Sequence, residues 1–408
     1  MKVTLEDIQS AEKRLKDVVR HTQMEKSVTA SKMFGSDIFF KFENEQITGS
    51  FKLRGAYNCI AQLSQDEKKR GVVASSAGNH AQGVAYSATM AGVPSTIVMP
   101  IHASLVKVAA TREYGANVVL HGEIYDEAYE HARTLEKQKN LTFVHPYENE
   151  KVIAGQGTIG LEMLATVPDL DSVIIPIGGG GLISGIATAI KALHPKCKIY
   201  GVQSDQAPGM EKLFHHHPPA TSRKKIATIA DGIAIKNPSP VMYESFISKL
   251  VDDIVTVTDD EIAEAIFFLM EKAKTVTEGS GAAAAAALLH RSQLKLGKKS
   301  CVLLCGGNID LNIVSKVIEK GQIRRGRLVE MSVVVEDLPG ALHRMTEIIA
   351  AHQANILEVH HDRVSHGLFL RETRIDFLLE TSSHEHIEKI RQALLQSGVR
   401  FLSSSSGD

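Results

Sequence analysis

Three glycine-containing loops carry the residues most suited to chemistry. Ser76-Ala-Gly-Asn-His80, Gly178-Gly-Gly-Gly181 and Cys305-Gly-Gly-Asn308 each follow a short apolar run that predicts a strand. In the second loop, four successive glycines allow backbone N–H groups to converge on one anion at the start of the next helix. That loop therefore predicts a phosphate site. Asn79 and His80 in the first loop add directional polar groups, and the third loop offers small residues and close backbone approach.

Lys52 is the fourth candidate. It lies in Thr48-Gly-Ser-Phe-Lys-Leu-Arg-Gly-Ala56, where a helix is predicted to begin. The positive end of that helix would disfavour the ammonium form and lower the pKa of Lys52. A neutral lysine amine forms Schiff bases and abstracts protons. One such lysine, a phosphate loop and an asparagine loop match the components of a pyridoxal-phosphate site.

Nucleotide-binding interpretations of the glycine loop fit less well. A Rossmann fingerprint on Gly179 and Gly181 would place its third glycine at Ser184. The following strand leads to Gln203, where such a site needs an acidic ribose ligand. A P-loop would require Gly-Lys-Ser/Thr, which is absent here. Each loop alone could also be a helix cap or a turn, so the combination carries the prediction.

The composition is that of an ordinary globular chain of 408 residues, with 43% hydrophobic residues, 23% charged residues and a net charge of -1. Interspersed charges of both signs give no basis for a nucleic-acid partner. The longest uncharged run, 172–190, contains Pro176 and five glycines, so we expect no membrane span. Four scattered cysteines and no signal peptide favour a reducing cytoplasm.

The loops belong to an alternating strand and helix pattern over residues 1–320. An opening helix is predicted after Thr4, which forms a capping-box pattern with Asp7. Apolar strands separated by helices predict a mainly parallel sheet covered on both faces, with ligands at the carboxyl ends of its strands. The predicted strands are 37–42, 72–75, 95–99, 117–120, 172–176, 198–202 and 300–304.

A second domain is predicted at the C-terminus. Residues 321–327, Gly-Gln-Ile-Arg-Arg-Gly-Arg, are short and basic and predict a linker. Residues 328–408 then follow a β-α-β-β-α-β order in about 80 residues. The chain is therefore expected to combine an α/β domain with a smaller α+β domain.

Four motifs carry a family resemblance. Ser50-Phe-Lys-Leu-Arg-Gly-Ala56, Ser76-Ala-Gly-Asn-His-Ala-Gln-Gly83, the glycine loop and Cys305-Gly-Gly-Asn308 resemble, in order and separation, fold-type II pyridoxal-phosphate enzymes of the threonine dehydratase and serine racemase group. The resemblance implies a tryptophan synthase β-like fold over 1–320. It has two open α/β subdomains, the smaller inserted at about 50–150. Residues 328–408 resemble a ferredoxin-like ACT regulatory domain.

The resemblance implies these cofactor contacts. Lys52 would hold pyridoxal 5'-phosphate as a Schiff base, yield it to the substrate amine and then accept the Cα proton. Phe51 would pack beside the ring, and Asn79 would form a hydrogen bond with the cofactor's 3-hydroxyl. Gly178, Gly179, Gly180 and Gly181 would bind the phosphate, and Gly232 lies in a segment that approaches the cofactor in this family.

Cys305 occupies the position where the family has a small hydroxyl residue near the pyridine nitrogen. A thiol is a poor proton donor to that ring, which suits elimination. The substrate carboxylate would be surrounded by the loop residues Ser76, Ala77, Gly78 and His80.

Ala77 separates the candidate reactions. Racemases of this group carry a serine at this position as a second acid/base, and a methyl group cannot move protons. The resemblance thus implies dehydration of L-threonine to 2-oxobutanoate and ammonia, with L-serine giving pyruvate. Serine racemisation, β-replacement and a non-catalytic amino-acid-sensing regulator remain alternatives.

Metal binding is predicted to be limited. Some relatives hold a divalent ion with carboxylates at the positions of Gln203 and Gly209, neither of which supplies charge here. Ala207 still fits as a carbonyl ligand of a monovalent cation. His215-His-His217 is interpreted as a solvated turn, because consecutive histidines point in different directions.

In the ACT-like region, Leu338, Pro339 and Gly340 form a turn that contacts a small allosteric effector in such domains, with Asn355 opening the next strand. The alternative is a dimerisation module without a ligand. The family implies a homodimer or homotetramer. The sequence leaves open a role in isoleucine biosynthesis or in threonine catabolism.

Overall fold

The computed structural model describes residues 1–218, 226–364 and 367–402. The chain forms two units, Met1–Asp310 and Leu311–Asp408. A helix continues through residues 321–324 of the predicted linker, and the first strand of the second unit begins at Leu328. The domain boundaries at 320 and 328 stay predictions.

The helices of the first unit begin with a capping box on Thr4 and Asp7, which confirms the predicted opening helix. Short single turns accompany them at Glu43–Glu45, Asp231–Ile233, Tyr243–Ile247 and Leu269–Ala273. The helices are α1 (Leu5–Leu15), α2 (Val28–Phe34), α3 (Lys52–Ala61), α4 (Gln65–Arg70), α5 (Asn79–Met90), α6 (Leu105–Glu113), α7 (Tyr125–Lys139), α8 (Glu150–Thr166), α9 (Gly181–Leu193), α10 (Gly209–Phe214), α11 (Pro240–Met242), α12 (Ser248–Leu250), α13 (Asp259–Phe268) and α14 (Gly279–His290).

The strands of the first unit form two sheets. They are β1 (Met24–Lys26), β2 (Asp37–Phe42), β3 (Val72–Ser75), β4 (Ser95–Met99), β5 (Asn117–Leu120), β6 (Thr142–Phe143), β7 (Ser172–Pro176), β8 (Lys198–Ser204), β9 (Asp253–Val257) and β10 (Lys299–Leu304). The larger sheet has the order β1-β2-β10-β7-β8-β9 and the smaller one β5-β4-β3-β6. Apart from the antiparallel β1, neighbouring strands are parallel.

Both sheets are covered by helices, as their apolar strands predict. All residues of β3 and β7 are buried. The three loops follow the carboxyl ends of β3, β7 and β10, so the topology brings them to one edge of each sheet. The sequence did not predict β1, β6 or β9, because β1 and β6 have only three and two residues and β9 is an edge strand.

The second unit has the predicted β-α-β-β-α-β order after an initial helix. Its sheet is antiparallel in the order β12-β13-β11-β14, and one face buries Ile375, Phe377 and Leu379 against α16 and α17. The elements are α15 (Leu311–Arg324), β11 (Leu328–Glu336), α16 (Ala341–Ala351), β12 (Asn355–Asp362), β13 (Glu372–Glu380), α17 (His384–Gln396) and β14 (Arg400–Phe401). The predicted fold class is confirmed.

Candidate active site

Lys52 is the first residue of α3, as predicted, and it lines a cavity of about 720 Å³. Its Nζ lies 3.4 Å from the carbonyl oxygen of Pro146 and 5.1 Å from the centre of the Phe51 ring. Burial lowers the pKa of Lys52 to about 8, although Cys305 and Glu278 act in the opposite direction. The sequence analysis also expected a lowered pKa for Lys52, but it attributed the shift to the helix end. Burial is the largest cause in the folded protein.

The asparagine loop joins β3 to α5. Ser76 Oγ accepts a hydrogen bond from the Gly78 backbone N–H at 3.2 Å. The first N–H groups of α5 have no partner within the helix, as at every helix N-terminus, so they suit an anion such as a carboxylate. Ser76, Ala77, Gly78 and His80 all line the cavity.

The ring N–H of His80 already has a partner within the protein, so the side chain has no donor left for a substrate. Its Nε2 donates to the carbonyl oxygen of Val144 at 2.8 Å, and the ring is buried. Burial and the charge of Lys52 lower the pKa of His80 to about 3, so the ring is neutral. Any contact of His80 with a carboxylate would therefore use its backbone N–H.

The glycine loop precedes α9 and also lines the cavity. Gly180 adopts φ +96°, and Gly181 begins the helix. A Cβ on Gly179 would clash with the Tyr147 ring, so the loop lies against this ring with only backbone between them. The backbone N–H groups of this loop and the dipole of α9 are suited to an anion, so we call residues 178–181 the glycine cradle.

Cys305 directly follows β10 and lines the cavity. Its backbone carbonyl accepts from the Phe51 N–H at 3.2 Å, which ties the loop to the start of α3. Its Sγ donates to the Ser280 carbonyl oxygen at 3.5 Å. Burial raises the pKa of the Cys305 thiol well above its ordinary value, so it stays protonated.

The structure thus brings together in one cavity every residue predicted to act on the cofactor or substrate. The lining includes Phe51, Lys52, Ser76, Ala77, Gly78, Asn79, His80, Gly178, Gly179, Gly180, Gly181, Gly232 and Cys305.

Glu278 is a cavity residue that the sequence analysis did not identify. It precedes α14 and is 6% exposed. Its Oε1 accepts a hydrogen bond from Asn79 Nδ2 at 2.6 Å. Burial, and then the charge of Asp231, raise the pKa of Glu278 to about 7. An acidic residue directly before a run of small helical residues was the available signal.

Gln203, which stands where some relatives have a carboxylate ligand, has a partner within the protein. Gln203 Oε1 accepts from the Glu211 backbone N–H at 2.8 Å, which holds the start of α10. The described residues contain no group of three or more histidine, cysteine, aspartate or glutamate side chains suited to a metal ion. A monovalent cation at the Ala207 carbonyl stays a prediction. His215 lies in a turn where its Nε2 contacts the Ile254 carbonyl oxygen at 3.0 Å.

The residues predicted to bind an effector lie in the second unit. Gly340 adopts φ +87° and precedes α16, while Leu338 is 54% exposed. Pro339 is exposed in the same turn, and Asn355 opens β12, where its Nδ2 donates to Glu380 at 3.3 Å. No helix in the described parts of the chain is long and apolar enough to cross a membrane.

Comparison with known families matches both units. Residues 15–306 match the model described as pyridoxal-phosphate dependent enzyme, and residues 329–398 match the ACT domain. A protein named L-threonine ammonia-lyase from Thermotoga maritima is 46% identical over 396 residues, covering 97% of this chain and 98% of its own.

Two solved structures resemble the chain over its first unit. The processed form of threonine deaminase isoform 2 from Solanum lycopersicum has a TM-score of 0.72 and 35% identity, covering 79% of this chain and 91% of its own. Maize serine racemase has a TM-score of 0.73 and 31% identity, covering 79% and 99%. The fold is therefore shared by proteins named for different reactions, so the residues of the cavity must distinguish them.

Proposed function

The chain belongs to the pyridoxal-phosphate-dependent enzyme family and carries an ACT domain, and from this premise we propose that it is a threonine ammonia-lyase. It converts L-threonine to 2-oxobutanoate and ammonia, with L-serine as a second substrate that gives pyruvate. The carrying observation is that the Lys52 amine and the glycine cradle face one cavity. The full-length similarity to a protein named L-threonine ammonia-lyase supports this reaction.

The cavity fits pyridoxal phosphate. The phosphate would be held by backbone N–H groups of Gly178–Gly181, where the close contact of Gly179 with Tyr147 leaves no room for a side chain. Lys52 has a lowered pKa, which increases its neutral fraction at pH 7 on the order of a hundredfold over an ordinary lysine. Asn79 and Cys305 would face the 3-oxygen and the ring nitrogen.

When bound, pyridoxal phosphate supplies an electron sink that makes the substrate Cα–H acidic. Lys52 would hold the cofactor through Nζ, release it to the substrate amine and accept the Cα proton at Nζ. The backbone N–H groups at the start of α5 bind the substrate carboxylate. The Cys305 thiol stays protonated and donates a hydrogen bond to the Ser280 carbonyl oxygen. It therefore does not serve as an acid toward the ring nitrogen.

Dehydration is favoured over racemisation by Ala77. Racemisation needs an acid on the face opposite Lys52, and in this family that role belongs to a serine at the position of Ala77, which lines the cavity with a methyl group. We therefore expect no D-serine from L-serine. Detection of D-serine at a rate comparable to pyruvate release would contradict the assignment.

The first test is 2-oxo acid release by the cofactor-loaded protein from L-threonine and L-serine, measured side by side. We expect release from both, faster from L-threonine. Lys52→Ala should abolish release while circular dichroism shows a folded protein. Lys139→Ala, which removes an exposed lysine at the end of α7, is the matched control and should keep full activity. No release from either substrate would refute the proposal.

We place the enzyme in the cytoplasm, because its four cysteines are buried and unpaired. The ACT domain would bind a small amino-acid effector at Leu338–Gly340 and Asn355, between paired domains of a homodimer or homotetramer. A screen of amino acids against activity, with sedimentation at each ligand concentration, tests both points. A monomer whose activity no amino acid changes would refute them.

A further inference from the structure

The carboxyl group of Glu278 has an unusual partner for its position. Glu278 precedes the first residue of α14, where a Ser, Thr, Asp or Asn side chain usually accepts hydrogen bonds from the next helical N–H groups. Its side chain makes no such bond. Instead, Oε1 accepts from Asn79 Nδ2 at 2.6 Å, across 199 residues of sequence.

Asn79 is contacted on its other side by Asn308. Asn308 Nδ2 donates to Asn79 Oδ1 at 2.7 Å and to the backbone carbonyl of Thr48 at 2.9 Å. Because the backbone carbonyl can only accept, it fixes the orientation of the Asn308 amide. Asn308 therefore presents a donor, and not an acceptor, to Asn79.

These two contacts allow only one orientation of the Asn79 amide. Rotating it by 180° would place Asn79 Oδ1 against the Glu278 carboxylate and Asn79 Nδ2 against Asn308 Nδ2. Both contacts would then be repulsive. An amide nitrogen has two hydrogens, and Glu278 takes one of them. The other N–H is left for a ligand in the cavity.

We propose that Glu278 and Asn308 are positioning residues that orient Asn79, so that Nδ2 donates its second hydrogen to the 3-oxygen of the cofactor. This inference rests on the proposed function, because it assumes that the cavity binds pyridoxal phosphate. Gly306 supports it independently, since a Cβ there would lie 2.5 Å from Glu278 Oε1 and 3.2 Å from Asn79 Nδ2. Any larger residue would separate the pair.

The charges that face Glu278 explain why its contact with Asn79 is informative. Lys52 and Lys107 favour its ionised form, while burial and Asp231 oppose it. The hydrogen bond from Asn79 also favours the ionised form of Glu278. Glu278→Gln keeps an acceptor for Asn79 and removes the charge, whereas Glu278→Ala removes both. The two variants separate the hydrogen bond from the electrostatic effect.

The test is a double-mutant cycle on cofactor affinity in the full-length protein. Apparent affinity is measured by reconstitution with pyridoxal phosphate, followed by the visible absorbance of the bound cofactor. Asn308→Ala and Glu278→Ala should each weaken affinity about tenfold, as expected for losing the partner that orients one hydrogen bond. Glu278→Gln should weaken it less, by about two- to threefold.

The decisive comparison uses the Asn79→Ala background. If Glu278 and Asn308 act through Asn79, their substitution there should change affinity less than twofold. The full tenfold loss in that background would overturn the proposal. A second readout is the absorbance maximum of the bound cofactor, which Asn308→Ala should shift in the same direction as Asn79→Ala.

Asn58→Ala is the matched control for loss of a buried asparagine. Asn58 Nδ2 donates to the Lys151 carbonyl oxygen at 2.6 Å, and the residue does not line the cavity. This variant should be less stable yet bind the cofactor normally; weakened binding would show that destabilisation alone explains the losses. The affinity measurements use no substrate, so they do not depend on turnover. A protein that binds the cofactor but releases no 2-oxo acid would refute the proposed function and leave the orienting role of Glu278 and Asn308 standing.

Discussion

Two buried sites that contain basic residues lie at the start of α3. One is the cavity around Lys52, the other is a group of paired charges around Arg54, and they differ in charge pairing. Lys52 faces the cavity, where burial lowers its pKa to about 8. Arg54, two residues later, is 1% exposed and contacts Glu43 at 2.7 Å and Glu162 at 2.6 Å. The same helix turn therefore supplies one reactive amine and one permanently charged guanidinium.

Pairing explains the difference. Lys41 joins the second group through a salt bridge to Glu162, so two basic side chains balance two acidic ones. Burial alone would raise the pKa of Glu43, but Arg54 lowers it below the ordinary value. Among the described residues, no salt bridge includes Lys52. A buried charge that is paired fixes the helix, whereas an unpaired one becomes available for chemistry.

The largest expected effect comes from breaking the paired group. Arg54→Met should lower the free energy of unfolding by roughly 3–5 kcal/mol, because it leaves Glu43 buried without its salt-bridge partner and leaves Glu162 paired with Lys41 alone. Urea unfolding followed by circular dichroism measures the loss. Cofactor affinity should fall as well, since Arg54 anchors the turn that carries Lys52.

Lys26→Met is the control for this substitution. Lys26 pairs with Asp37 at 2.6 Å, but both side chains are nearly half exposed. Its loss should cost less than about 1 kcal/mol. If Arg54→Met were equally mild, the paired group would not be what holds α3 in place.

Glu278→Gln should produce the next largest effect, and it should depend on pH. In the folded protein without cofactor the pKa of Glu278 is raised to about 7, so ionisation costs stability. A group with a raised pKa stabilises the fold below its unfolded pKa, and that contribution is lost as the pH rises through the folded value. Wild type should therefore lose roughly 2–3 kcal/mol relative to the variant between pH 4 and pH 8.

Thermal unfolding from pH 4 to pH 9 checks this expectation. The two stability curves should differ least near pH 4, diverge between about pH 4.5 and pH 7, and run parallel above pH 8. Parallel curves over the whole range would show that Glu278 has an ordinary pKa. Burial would then not be raising the pKa of the cavity carboxylate, and the contrast with the paired Arg54 group would be weaker.

The residues that line the cavity were predictable because their signals are local. The lysine at a helix start, the asparagine loop and the glycine loop each lie within a few residues of sequence. Strand-and-helix alternation then places the loops at the carboxyl ends of β3, β7 and β10. The resemblance added their roles, and the family it implied is confirmed. The largest cause of the lowered pKa of Lys52 is burial, which could not be predicted because it depends on the packed cavity.

The residues that orient these groups were not predictable, because their partners are distant in sequence. Asn79 and Glu278 are 199 residues apart, and Asn79 and Asn308 are 229 residues apart. Asn308 stood within a recognised motif but had no partner until the fold supplied one. Arg54 likewise pairs with Glu162 across 108 residues. Periodicity predicts which face of an element is buried, but not which polar groups meet there.

The smallest expected effect concerns Lys107, which is paired like Arg54 but is only partly buried. It pairs with Asp231 at 2.8 Å at the cavity, but Asp231 is 63% exposed, so water can replace the lost partner. Lys107→Met should therefore reduce stability by less than about 1 kcal/mol.

Lys107→Met should also raise the pKa of Glu278, because Lys107 lowers that pKa in the wild type. The stability curve of this variant, compared with those of wild type and Glu278→Gln, measures both effects. A loss as large as that of Arg54→Met would mean that partial exposure does not weaken a pair in this protein, and that the contrast between the two groups does not arise from burial.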